Sequence, residues 1–178
     1  MKCIILVGYM CAGKTTVGKA LARRLGVTFY DLDWYIEERF HTKVPRIFAE
    51  QGEERFRDLE RRMLHEVAEF ENVVLSCGGG TPCFFDNMDY MNSVGQTFYL
   101  KASTETIVNH LAMSRGERPL LKGKSPEELR DFVGTQLAER EAWYAKASEV
   151  INVDVLDFKV DSFSKIELVV DDIAARIN

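Results

Sequence analysis

The apolar run Cys3-Ile4-Ile5-Leu6-Val7 breaks off into Gly8-Tyr9-Met10-Cys11-Ala12-Gly13-Lys14-Thr15, and a helical pattern begins at once afterwards. No other stretch constrains the fold as tightly. It is the G-x-x-x-x-G-K-[ST] pattern in a strand–loop–helix setting, which implies a nucleoside triphosphate with Mg²⁺ as ligand. Gly8 and Gly13 lack a Cβ, so the loop bends tightly and turns its backbone N–H groups toward phosphate oxygens. The helix that follows offers unpaired donors and a partial positive charge to the same anion. Lys14 supplies a mobile charge for the outer phosphates, and the Thr15 hydroxyl suits a hard cation. A glycine turn that happens to carry a lysine would also match the pattern, but not with both flanks correct.

The length of 178 residues suits one domain, 1–178, with room for a small lid. Such a chain buries an adequate core without metals or disulfides. Apolar residues make up 46% and charged residues 29%, an ordinary soluble composition. Lys and Arg total 23 against 28 Asp and Glu, so the net charge of -5 gives no reason to expect nucleic acid as a partner. Cys3, Cys11, Cys77 and Cys83 match neither a zinc site nor a secreted disulfide framework, which points to reduced thiols in a cytoplasmic protein. The N-terminal apolar run is too short for a signal peptide, and no segment approaches transmembrane length, so no membrane association is expected.

Strand-like and helix-like segments alternate. Strands are expected at residues 2–7, 28–32, 73–76, 97–100 and 150–153. Helices are expected at 14–25, with Val17, Leu21, Ala22 and Leu25 on one face and Gly26 as its stop; at 33–40; at 45–51; and at 53–70, with Phe56, Leu59, Met63, Val67 and Phe70 near one stripe. A further helix covers 103–113, capped by Ser103. Residues 114–124 have no periodicity but carry Arg115, Arg118, Lys122 and Lys124. They end at Ser125-Pro126-Glu127-Glu128, a helix start with capping serine, first-turn proline and glutamate three residues after the cap; that helix runs to about Ala147. Residues 154–163 are ambiguous, and Ser164-Lys165-Ile166-Glu167 opens a last helix with Ile166, Val169, Val170, Ile173 and Ile177 inward. Strands separated by helices imply an α/β fold of three layers, a parallel sheet covered on both faces. Ligands of such sheets gather at the carboxyl ends of the strands, so Asp31, Asp33, Gly78 to Gly80 and the phosphate loop are expected to converge.

Beyond the phosphate loop, the chain resembles the shikimate kinases over nearly its whole length. Five groups carry the resemblance: Lys14-Thr15-Thr16-Val17-Gly18-Lys19-Ala20-Leu21-Ala22; Asp31-Leu32-Asp33; Phe56-Arg57 with Glu60; Ser76-Cys77-Gly78-Gly79-Gly80; and Arg118-Pro119-Leu120-Leu121 with Arg140 later. The resemblance implies ATP-dependent phosphorylation of the 3-hydroxyl of shikimate, a step of aromatic amino-acid synthesis. It also implies a five-stranded parallel sheet flanked by helices, as in nucleoside monophosphate kinases and P-loop NTPases, with a lid near 114–124 and a substrate-binding helical segment near 33–61. Shikimate would sit on Asp33, Arg57, Gly79 or Gly80, and Arg140. ATP would sit on Cys11, Ala12, Gly13, Lys14, Thr15 and Thr16, with Arg118 reaching the phosphate and Mg²⁺ held by Thr15 and, through water, Asp31. A monomer with only small-molecule partners is implied. The sequence departs from the family at Cys11, where glycine is usual, at Pro82, where an aliphatic residue is frequent, and in 154–163, which is longer than expected in a region that in relatives approaches the adenine.

Chemically, shikimate offers a ring carboxylate and three hydroxyls. Arg57 and Arg140 fit the carboxylate, because guanidinium forks match it. Arg57 also stands at helix ion-pair spacing from Glu53 and Glu60, and Arg140 lies between Glu139 and Glu141, so both equally suit surface pairs; Glu60 could hold Arg57 in place. Asp33 could take the proton of the reacting hydroxyl or only orient it. Asp31 and Asp33 would equally serve as strand-end and helix-cap residues. Three glycines after a buried strand suggest a close backbone approach to ligand, or a flexible turn. A lid arginine at Arg118 would add positive charge as the transition state forms, and the lid would exclude water. Trp34, Phe48, Phe56, Phe84 and Phe85 read mainly as core, and His41, His65 and His110 show no ligand spacing. A gluconate kinase or nucleoside monophosphate kinase is the nearest rival. A nucleotide-dependent switch lacks its guanine-reading motif here.

Overall fold

The computed structural model describes residues 3–113, 123–156 and 162–178. The expected lid, with Arg115, Arg118 and Lys122, lies almost entirely outside the described residues. Five parallel strands form one sheet in the order β2-β3-β1-β4-β5: β1 (Cys3–Val7), β2 (Thr28–Asp31), β3 (Val73–Ser76), β4 (Gly95–Lys101) and β5 (Glu149–Asn152). Every residue of central β1 and of β3 is buried, as their unbroken apolar runs require when helices cover both faces, whereas edge strands β2 and β5 are partly exposed.

The helices are α1 (Lys14–Leu25), α2 (Leu32–Phe40), α3 (Val44–Ala68), α4 (Asn87–Val94), α5 (Thr104–Met113), α6 (Pro126–Tyr144) and α7 (Ser162–Ala175). The expected break between 45–51 and 53–70 is real: Gly52 interrupts α3 with φ 80 and ψ 170, a backbone conformation that side chains disfavour. Ser125 caps α6 in a complete capping box with Glu128. Ser103 accepts from Thr106 N–H at 3.2 Å at the head of α5. Three expectations need correction. Helix α6 stops at Tyr144, short of Ala147. Helix α7 starts at Ser162, so Ser164 lies inside it. The short helix α4 has no counterpart in the expected elements, because Asn87-Met88-Asp89-Tyr90 shows turn-like composition, and it buries only Asn87, Met88 and Met91.

Register explains what the sheet does for function. Leu6 lies beside Ser76, Ser76 beside Asp31, and Leu6 beside Phe98, so the strands deliver the phosphate loop, Asp31 and the glycine triplet at one edge. The chain leaves β1 toward β2 on one side and leaves β3 toward β4 on the other. The topological switch therefore falls between β1 and β3, where a crevice opens at the carboxyl ends of the strands.

Candidate active site

Helix α1 starts on Gly13, at φ 90, with no side chain capping it, so the N–H groups of its first turn remain for a ligand. The Lys14 ammonium donates to the Gly8 and Tyr9 carbonyls at 2.8 Å each, which arches it over the loop with one hydrogen to spare. Burial pulls Lys14 down to about 8, against the pull of Asp33 and Asp31. Cys11, where a glycine was expected, sits at φ 60 in the left-handed region, a strain of about 1 kcal/mol for a side-chain-bearing residue.

Thr15 donates from Oγ1 to Asp31 Oδ2 at 2.9 Å, and the other Asp31 oxygen accepts from Trp34 N–H at 3.4 Å. Asp31 caps α2, as its cap reading expected, and faces the loop threonine. A hydroxyl and a carboxylate side by side are hard oxygen donors, a set that fits Mg²⁺ with several retained waters.

The three glycines after β3 meet three different partners. A Cβ on Gly78 would lie 3.2 Å from Asp33 Oδ1 and 3.3 Å from Glu60 Oε1. One on Gly79 would lie 3.1 Å from Met10 N, against the phosphate loop. One on Gly80 would lie 2.7 Å from Arg57 Nη2. The triplet is thus a junction: carboxylate on its first residue, phosphate loop on its second, guanidinium on its third.

Burial pushes the Asp33 carboxyl up to about 6, reinforced by the charges of Asp31 and Glu60 and opposed by Lys14. Arg57 donates from Nη1 to Glu60 Oε2 at 2.8 Å and from Nη2 to Glu53 Oε1 at 3.2 Å. The two pairs differ in kind, because the Glu60 side chain is 1% exposed and that of Glu53 is 58% exposed. Glu60 is satisfied on its other oxygen by Thr81 Oγ1 at 2.6 Å, so Thr81, Glu60 and Arg57 form one chain of bonds. The guanidinium also lies 4.1 Å over the Phe84 ring. The 3-10 turn Thr81–Cys83, which contains Pro82, supplies Thr81 and is braced by Asn87 Nδ2 on the Thr81 carbonyl at 2.9 Å.

Arg140 comes from the second-last turn of α6 and lies 5.6 Å over the Tyr9 ring. Burial pushes the Cys83 thiol up, against the positive charges of Arg140 and Arg57. The structure therefore gathers Asp33, Arg57 and Gly78 to Gly80 against one another and against Met10, with Arg140 over Tyr9 of the same loop. Arg118 is outside the described residues. Of the aromatic candidates, Phe56 is core, Phe48 and Phe84 flank Arg57, and Trp34 and Phe85 are exposed.

Several contributors escaped the sequence reading. Thr81 and Tyr144 carry no motif, and their partners are distant in the chain. Buried His110, to which the sequence assigned nothing, places Nδ1 2.8 Å from the Cys11 carbonyl and Nε2 2.7 Å from the Leu156 carbonyl, behind the phosphate loop.

A family model described as "Shikimate kinase" matches residues 10–170. A shikimate kinase of Phocaeicola vulgatus is 51% identical over 175 residues, covering 98% of this chain and 98% of that protein. The crystal structure of a shikimate kinase from Bacteroides thetaiotaomicron superposes with a TM-score of 0.92 at 49% identity, covering 98% of this chain and 97% of that one. A shikimate kinase from Acinetobacter baumannii, solved in complex with shikimate, gives a TM-score of 0.80 at 29% identity, covering 100% of this chain and 96% of that one.

Proposed function

This chain belongs to the shikimate kinase family, and on that premise we propose how its residues move a phosphoryl group from ATP to the 3-hydroxyl of shikimate. The activity is phosphotransfer to shikimate. What carries the assignment of roles is the division of labour along the glycine triplet. Asp33, the phosphate loop and Arg57 meet three successive residues, so a proton acceptor, a phosphoryl donor and a carboxylate holder stand a few ångströms apart.

Arg57 and Arg140 hold the ring carboxylate of shikimate, which leaves the ring hydroxyls facing Asp33. Asp33 accepts the hydrogen bond of the reacting hydroxyl and orients its oxygen toward the γ-phosphorus. It takes the proton as the new P–O bond forms and the bond from the γ-phosphorus to the bridging oxygen breaks, with ADP leaving; the transition state is loose, so alignment contributes more than basicity. Residues 11–16 cradle the ATP phosphates through backbone N–H groups. Lys14 exchanges its loop carbonyls for phosphate oxygens and stabilises the charge that develops on the transferred group. Thr15, with Asp31 through water, would hold Mg²⁺, which would supply positive charge to neutralise the phosphate oxygens. Arg118 joins from the lid on the strength of the family pattern alone. We read residues 114–124 as a lid and 33–61 as the shikimate-binding segment of a single domain. We also read the enzyme as a cytoplasmic monomer with ATP as its co-substrate, as the family pattern implies.

The direct test is a coupled ADP-release assay with Mg²⁺ and a panel of shikimate, gluconate and nucleoside monophosphates. Turnover with shikimate alone is expected. Turnover with another acceptor and none with millimolar shikimate would overturn the reading.

A further inference from the structure

We propose that Tyr144 is a positioning residue for shikimate: its hydroxyl fixes the peptide unit between Gly79 and Gly80. The proposal rests on the reading of the site given above.

Tyr144 is the last residue of α6, and its side chain is fully buried. Packing alone would be met by a phenylalanine, since the ring lies 5.1 Å from that of Tyr99 at 33°. The oxygen is what needs an explanation. It donates to the Gly79 carbonyl at 2.5 Å, across 65 residues of sequence. Burial raises the phenol, and the positive charge of Arg140, one turn earlier on α6, offsets part of that rise, so the hydroxyl remains a donor at any working pH. A phenol has one hydrogen to give, and here it goes to the glycine triplet.

The consequence follows from peptide geometry. In a trans peptide the carbonyl of one residue and the N–H of the next point in opposite directions. Holding the Gly79 oxygen toward α6 therefore aims the Gly80 N–H away from α6. Between two glycines no side chain resists rotation of that plane, and unlike the Gly78–Gly79 plane it is not pinned by Thr81 N–H. The bonds that close the following turn, Thr81 N–H to Gly78 O at 3.1 Å and Cys83 N–H to Gly80 O at 2.9 Å, do not hold it directly. Tyr144 does. The same helix carries Arg140, whose guanidinium lies 5.6 Å over the Tyr9 ring. Tyr9 is held in turn by Gln136, also on α6, at 2.7 Å. One helix thus sets both an arginine and a backbone donor for the substrate.

Tyr144→Phe deletes one oxygen and keeps the ring. The shikimate KM should rise about three- to tenfold, the worth of one lost hydrogen bond. The ATP KM should stay within about twofold and the Tm within a few degrees. Tyr99→Phe is the comparison, because that buried hydroxyl goes to Glu141 at 2.7 Å and not to the triplet; its shikimate KM should not move. A silent Tyr144→Phe overturns the proposal. So does a rise matched by Tyr99→Phe, or one that moves the ATP KM and Tm alongside, since those signify a loosened helix. If Arg57→Lys also leaves the shikimate KM unchanged, the site reading itself is at fault, and the Tyr144 proposal falls with it.

Discussion

The phosphate loop, residues 8–16, is one continuous stretch that presents backbone donors, whereas the groups across the glycine triplet come from three helices: Asp33 from α2, Arg57 from α3 and Arg140 from α6. On the first side the fold of a few adjacent residues makes the site, and only Lys14 and Thr15 contribute through their side chains. On the second side the groups lean on other side chains: Arg57 is held by Glu60 and Glu60 by Thr81, while Arg140 lies over the Tyr9 ring and the Gly79 carbonyl is held by Tyr144. A site made of backbone depends on conformation and tolerates most side-chain changes. A site made of clamped side chains fails wherever a clamp is cut.

The largest break should come at Asp33, which serves both sides. Asp33→Asn should lower kcat by about 10²–10⁴-fold, the usual worth of a positioned proton acceptor, with ATP affinity near normal. The same change should raise the Tm by a few degrees at pH 7. Burial pushes the carboxyl up to about 6 in the folded protein, from an ordinary value of 3.8. Its raised folded value favours folding below pH 4, and that contribution is lost as pH rises through 6. Removing the charge should therefore gain on the order of 1–3 kcal/mol above pH 6 and nothing below pH 4. Thermal melts at the two pH values check it. A variant that loses ATP binding would show Asp33 belongs to the nucleotide side.

Next come the paired glycine substitutions, which separate the two sides most directly. Gly80→Ala drives a methyl into Arg57, at 2.7 Å, and should raise the shikimate KM about 10- to 100-fold with little effect on ATP. Gly79→Ala instead presses on Met10 N at 3.1 Å and should act chiefly on the ATP KM. Equal effects of both on both substrates would erase the distinction drawn here.

The pH dependence is a smaller effect. At limiting ATP, where the free enzyme is the reference, kcat/KM should fall about tenfold per unit below pH 6 as Asp33 gains a proton. It should fall again above pH 8 as Lys14 loses one. Saturating Mg–ATP should widen the plateau, since its metal favours the Asp33 carboxylate and its phosphates favour the charged Lys14.

The smallest effect belongs to Glu53. Its pair with Arg57 is exposed, so Glu53→Gln should change the shikimate KM by less than about threefold, while Glu60→Gln, on the buried side of the same guanidinium, should do far more. Steady-state kinetics of the two variants rank the clamps.

What could be read in advance follows the same division. The phosphate loop and α1 were legible because strand, turn and helix signals adjoin, and Gly52 and the Ser125–Glu128 box were legible because a break and a cap are local chemistry. The site residues Asp33, Arg57 and Arg140 were reached through a family pattern, since their own spacing suited ordinary caps and ion pairs equally well. Helix α4, the Thr81 turn, Tyr144 and His110 were not legible, because each draws its meaning from a partner tens of residues away.

The amino-acid order by itself determined that an anion cradle follows the first strand, and that α/β alternation would carry it, because both depend on neighbours within one turn or one strand of chain. Only the tertiary structure decided the strand order, the three partners of the glycine triplet and the side chains that hold Arg57 and Arg140. Those are settled by long-range packing at the carboxyl ends of the sheet, where burial, charge and hydrogen bonding act between residues the chain keeps far apart.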